Sequence, residues 1–89
     1  MNTLFARNEK EAINYINSVY GIESGTENHV IANEPVMWLE DGMTARLESA
    51  TCACGDSPAW RIYDADLDEV ECIIICECCW EDASNKERI

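Results

Sequence analysis

Apolar and polar positions change period several times along this chain, and each change marks an element. Residues 1–6 are apolar enough for a short first strand. Asn8 then opens a helix, because Asn8-Glu9-Lys10-Glu11 places a short polar acceptor three residues before a glutamate. Ala12, Ile13, Ile16, Val19 and Tyr20 follow at helical spacing and predict one buried stripe. Glu9 and Glu11 suit the positive end of the helix dipole, and Gly21 is placed to stop the helix.

Residues 22–29 are polar and read as a loop, with His29, the chain's one histidine, exposed within it. A short strand is expected at 30–32, ending before Pro35. The apolar run 36–39 and the partly alternating run 44–51 predict a hairpin turning at Asp41-Gly42. Ala59 to Tyr63 alternates as a strand, with Trp60 and Ile62 on one face and Arg61 and Tyr63 on the other. Asp56-Ser57-Pro58 before it reads as an extension of a turn. Val70 to Cys76 is the last strand, with Val70, Cys72, Ile74 and Cys76 on one side and Ile73 and Ile75 on the other. Residues 81–89 are polar and predict a fraying tail. The expected fold is α+β: an N-terminal helix packed on a small antiparallel sheet, ending in a C-terminal metal-binding hairpin. Trp38, Trp60 and Trp80 are expected to pack, with Trp80 alternatively an exposed anchor for a partner.

An 89-residue chain predicts one domain, with a helix-and-hairpin part (1–49), a cysteine lobe (50–80) and a tail (81–89). A core this small gains from a metal or a crosslink. The apolar fraction of 47% is ample for folding and argues against disorder. The N-terminus lacks a signal-peptide pattern and no run suits a membrane span, so a cytoplasmic protein is expected. In that compartment clustered thiols favour metal over disulfides.

All six cysteines lie between residues 52 and 79. Cys52-Ala53-Cys54 forms a C-x-C pair before Gly55, where a tight turn calls for positive φ. Cys76-Glu77-Cys78-Cys79 contains a C-x-x-C pair. Two close thiol pairs about twenty residues apart match the spacing of a tetrahedral zinc site. The expected ligands are Cys52, Cys54, Cys76 and Cys79, with Cys78 as the alternative ligand. Cys72 lies roughly 13 Å from Cys76 by strand rise, too far to share an ion without a bend, and reads as a buried small hydrophobe. An iron–sulfur cluster is a weaker use of the same thiols. An all-thiolate zinc leaves no open position for water, so the metal is expected to be structural, not catalytic. A redox C-x-x-C should open a helix, whereas this pair is expected to end a strand. The layout of Thr51-Cys52-Ala53-Cys54-Gly55 and Ile75-Cys76-Glu77-Cys78-Cys79 around a hairpin resembles a zinc ribbon over residues 50–80. The resemblance implies a fold and a Zn2+, not an activity.

The net charge of −12 excludes a phosphate-backbone binder and an anionic membrane surface. It fits plain solubility, halophilic adaptation, or a protein partner with a basic surface. Asp64, Asp66 and Asp68 have the spacing that opens a calcium loop, but Glu69 stands where glycine is needed and Ile75 where glutamate is needed. No catalytic triad, phosphate loop or dinucleotide motif is present, so no enzyme is expected. Being short, acidic and single-domain, the chain also resembles small inhibitors from phages and mobile elements, anti-CRISPR proteins among them. That resemblance implies that carboxylates occupy a basic nucleic-acid channel, through Asp64, Asp66, Asp68, Glu69, Glu71, Glu77, Glu81 and Asp82, beside Trp80. A zinc-ribbon accessory subunit of a transcription or processing complex, and a thiol redox or metal-handling protein, are the alternatives.

Overall fold

The computed structural model describes residues 2–23, 29–31 and 34–89. Six strands form one sheet: β1 (Asn2–Ala6), β2 (His29–Ile31), β3 (Glu34–Trp38), β4 (Thr44–Cys52), β5 (Gly55–Tyr63) and β6 (Glu69–Ile75). Helix α1 spans Glu9–Val19 and helix α2 spans Glu77–Asp82. The spatial order is β1-β6-β5-β4-β3-β2. The α+β expectation holds. The sheet is mixed, because β1 lies parallel to β6, whereas every other pair is antiparallel. A long return through the whole meander makes this parallel pair possible. The cysteine segment is built into the same sheet, since β5 and β6 are central strands.

Helix α1 begins as the sequence requires. Asn8 is extended and its side chain accepts from the Glu11 N–H at 2.9 Å. Gly21 ends it at φ 78°. A Cβ there would meet the Glu40 side chain at 2.8 Å, so both conformation and space call for glycine. Ala12 and Ile16 are buried, and Ile13, Tyr15 and Tyr20 pack beside them. Val19, expected in the buried stripe, is 54% exposed.

The β3–β4 hairpin turns at Asp41-Gly42, both with positive φ (62° and 76°), the backbone of a type I′ turn. Pro35 lies inside β3, opposite Val30, where a strand end was expected. His29 is part of β2, opposite Val36, not of a loop; the residues at 24–28 and 32–33 lie outside the described set.

The segment Gly55 to Pro58 corrects the reading of a long turn. It is already strand, paired to β4 down to Cys52 opposite Gly55, so only Ala53 and Cys54 make the turn. Pro58 is tolerated because β6 pairs with β5 only from Ala59 onward, and no ladder bond is lost at 58. The tip of the β4–β5 hairpin therefore projects past the end of β6.

Trp60, Ile62, Ile73, Met37, Ala45 and Leu4 bury against α1 on one face. The other face carries a smaller cluster of Ala50, Ala59, Cys72 and Ile74, joined by Phe5, Cys52 and Cys76. Val70 packs with the first cluster although it was assigned to the second. A bulge opposite Ile62 and Tyr63 inserts one residue into β6 and reverses its alternation there. Trp38, 36% exposed, is not a core residue.

The tail does not fray. Phe5 N–H donates to Glu87 O (2.7 Å) and Ile89 N–H donates to Phe5 O (3.0 Å), so the C-terminus lines the outer edge of β1. Ile89 packs on the main core, and Arg88 donates to the carbonyls of Trp80 and Glu81. An edge strand left open is a template for unwanted pairing, and the tail covers it.

Candidate metal centre

The cysteines come together at one end of the sheet, from two directions. Cys52 ends β4 and Cys54 lies in the two-residue turn of the β4–β5 hairpin, where Gly55 allows the tight reversal at φ 113°. Cys76 follows β6 directly and is the N-cap of α2, which carries Cys79 on its first turn. The sulfurs of Cys52, Cys76 and Cys79 all lie within 4.8 Å of one another. The sulfur of Cys54 stands 3.9 Å from that of Cys79. In a tetrahedral site with Zn–S bonds of about 2.3 Å, neighbouring sulfurs are about 3.8 Å apart. The spacing of the thiols is thus that of a site able to hold a metal ion.

The electrostatics agree with the geometry. The Cys76 side chain closes no capping hydrogen bond, yet its thiol is held down to about 7, first by the facing Cys79 backbone N–H. Hydrogen bonds from Cys79, Cys54 and Cys52 add to this against the opposing effect of burial. The Cys54 thiol is pushed up to about 12, first by its hydrogen bond to Cys76 and then by Cys79. Burial pushes the Cys79 thiol up as well. Sulfurs this close cannot all ionise without a cation between them, and a divalent ion removes that conflict.

The remaining thiols are set apart. Cys78 is exposed on α2. Cys72 is 3% exposed in the second cluster, where burial raises its thiol. Its reading as a core residue stands. The second pair differs from the zinc-ribbon layout, since it opens a helix and does not sit in a second hairpin. It also overturns the expectation that Cys76 and Cys79 merely end a strand. The strand does end there, but the next residue starts α2.

The acidic residues expected to face a partner divide into two groups. Glu71 is 6% exposed, and its carboxylate accepts from Tyr15 (2.8 Å), Tyr20 (3.0 Å) and Asn2 (3.0 Å). It therefore anchors α1 and β1 to β6 and presents nothing to a partner. Its place on the α1 face follows from the alternation of β6. Glu69 holds Arg61 through both oxygens, at 3.1 and 3.0 Å. Asp64 accepts from the N–H groups of Asp66 and Asp68, closing a turn that its spacing alone did not separate from a calcium loop. Asp66, Asp68, Glu77, Glu81 and Asp82 are exposed. Trp80 is half-buried, its Nε1 donating to Ile89 O at 3.0 Å. The Arg7 and Arg88 guanidiniums lie 5.2 and 4.7 Å from its ring centre, so it is a packing residue of the tail.

No family model matches the chain, and no curated protein or solved structure does either. Among the described residues no helix is long and apolar enough to cross a membrane.

Proposed function

We propose that this chain is a small zinc-stabilised protein without catalytic activity that acts by binding another protein. In this reading Cys52, Cys54, Cys76 and Cys79 hold one structural Zn2+ as a closed tetrathiolate. The observation that carries it is the grouping of the Cys52, Cys76 and Cys79 sulfurs from a hairpin and a strand–helix junction, with Cys54 joining through Cys79 at 3.9 Å. Zinc would tie the projecting tip of β4–β5 to α2. Elemental analysis of the purified chain should give close to one zinc per molecule, and a strong chelator should loosen the hairpin tip and α2. A metal content near zero, with freely titrating thiols, overturns the assignment.

The charge of −12 and the exposed Asp66, Asp68, Glu77, Glu81 and Asp82 support a partner with a basic surface. Such a protein suits the role of an acidic inhibitor that mimics nucleic acid, as anti-CRISPR proteins of phages do, in the cytoplasm of the host. Affinity capture should then recover a basic protein at low salt and lose it near roughly 1 M salt, where the Debye length is about 3 Å. A partner retained unchanged at high salt would refute mimicry. An accessory subunit docking through Trp80 is the weaker alternative, since that ring is already engaged by Arg7, Arg88 and Ile89.

One observation favours a second reading. Cys76 opens a helix in a C-x-x-C with its thiol held down to about 7, the setting of a redox pair. A thiol redox protein would react with a maleimide at Cys76 even when zinc is supplied. A zinc centre would protect Cys76 and leave Cys78 as the reactive thiol.

A further inference from the structure

A shallow cavity of about 250 Å3 opens beside the sulfur cluster. Phe5, Ala53 and Ala83 give it an apolar lining, Cys54 and Cys79 contribute sulfur, and Asp82 and Glu87 contribute two carboxylates. Among the described residues no basic side chain lines it. The nearest cations in sequence are committed elsewhere or exposed. Arg7 pairs with Glu11 at 3.0 Å, Arg88 lies over Trp80 and donates to backbone carbonyls, and Lys86 is exposed. Glu87 is kept in place by the Ser84 hydroxyl at 3.1 Å.

We propose that this cavity receives an arginine side chain of the protein partner. The inference rests on the reading that the chain is a zinc-bound protein with a basic partner. An arginine brings the two parts that the cavity matches: an aliphatic stem for Phe5, Ala53 and Ala83, and a flat, weakly hydrated cation for Asp82 and Glu87. A zinc tetrathiolate carries two net negative charges, so the sulfurs of Cys54 and Cys79 strengthen the same field. A neutral or acidic group would leave the negative charge of both carboxylates uncompensated there, which gives selectivity as well as attraction.

The probe is a blocked Gly-Arg-Gly peptide, titrated into the isotope-labelled, zinc-loaded chain and followed by amide NMR. A matched peptide with neutral citrulline in place of arginine is the control. The arginine peptide should shift the amides of Ala53, Cys54, Asp82, Ala83 and Glu87 selectively. The D82N/E87Q variant, altered only at exposed positions, should keep the native spectrum and weaken the peptide roughly fivefold or more, as loss of two exposed ion pairs implies. Shifts spread evenly over the acidic surface, equal shifts with citrulline, or an unchanged affinity in D82N/E87Q would each overturn the proposal. Zinc measured on the same sample separates the two ideas. A peptide that misses the cavity at one zinc per chain overturns the cavity alone. A peptide seated there on a chain that takes up no zinc overturns the metal centre alone.

Discussion

The sulfur of Cys54 lies 3.9 Å from the sulfur of Cys79, although 25 residues separate them. Neither element could place its thiol without the other. The β4–β5 ladder carries Cys54 out past the end of β6, and the start of α2 brings Cys79 back beneath it.

Individual serine substitutions should sort the six cysteines. Replacing Cys52, Cys54, Cys76 or Cys79 should weaken zinc by more than the roughly 10–100-fold that loss of a mere supporting group costs. Cys78→Ser should leave affinity unchanged. Cobalt substitution gives a direct readout, because the intensity of the visible bands reports a tetrahedral sulfur site. A Cys78→Ser chain that loses those bands would show that Cys78 ligates.

Alkaline titration should reveal how the tyrosines are held. Tyr20 and Tyr63 are pushed up to about 12, first by burial and then by hydrogen bonds to Glu71 and Glu48. Tyr15 is raised further for the same reasons, again through Glu71. A raised folded value favours the neutral phenol, so this stabilisation is complete below about pH 10, the unfolded value. It is lost as pH climbs through the folded values. Tyrosinate absorbance of the native chain should lag that of the urea-unfolded chain between about pH 10 and 12. Coincident curves, with the fold retained, would contradict the hydrogen bonds described.

Glu71 should prove a stability residue. Alanine there leaves the hydroxyls of Tyr15 and Tyr20 and the amide of Asn2 without their shared acceptor. The expected loss is about 2–4 kcal/mol, since bonds to a charged acceptor are worth roughly 1.5–3 kcal/mol and some donors will recover water. Tyr15→Phe and Tyr20→Phe should each cost about 1.5 kcal/mol, the lower end of that range for a half-buried phenol. Urea melts with unchanged slope would measure these losses. A neutral Glu71→Ala result would mean that the cluster is dispensable.

Truncation before Asn85 tests the tail. It removes Ile89 from the core, two backbone bonds from Phe5 and both Arg88 contacts with α2. The expected loss is about 1–3 kcal/mol, allowing for Ile89 being only half-buried. The Phe5 amide should exchange much faster, and Trp80 fluorescence should shift to the red. A chain whose Phe5 amide stays protected would show that the tail is not what covers β1.

Local chemistry made several of these features legible in the chain. Asn8 and Gly21 bracket α1 because a side-chain acceptor and a positive φ are needs of single positions. Asp41-Gly42 specifies its turn for the same reason. The two thiol pairs announce a possible metal because sulfur at that spacing has few other uses. Other features depended on neighbours. Pro58 signals a turn by itself and becomes strand only because β6 stops short of it. Val70 has the parity of one face and packs on the other because of a bulge. The tail is polar in composition, yet Ile89 and Arg88 fix it against Phe5 and Trp80, which no local pattern encodes.

The same division applies to the charged residues. The sequence by itself determined the helix, the hairpin turns, the acidity and which thiols come in pairs, all properties of a few adjacent residues. Only the tertiary structure decided which charges are surface and which are framework. Glu71 and Glu69 read like their acidic neighbours until β6 is placed beside α1 and β5. Then one becomes the acceptor for two half-buried phenols and the other the clamp on Arg61. It also decided that the thiol pairs meet, because a shared ion requires two chain segments to end at one point in space.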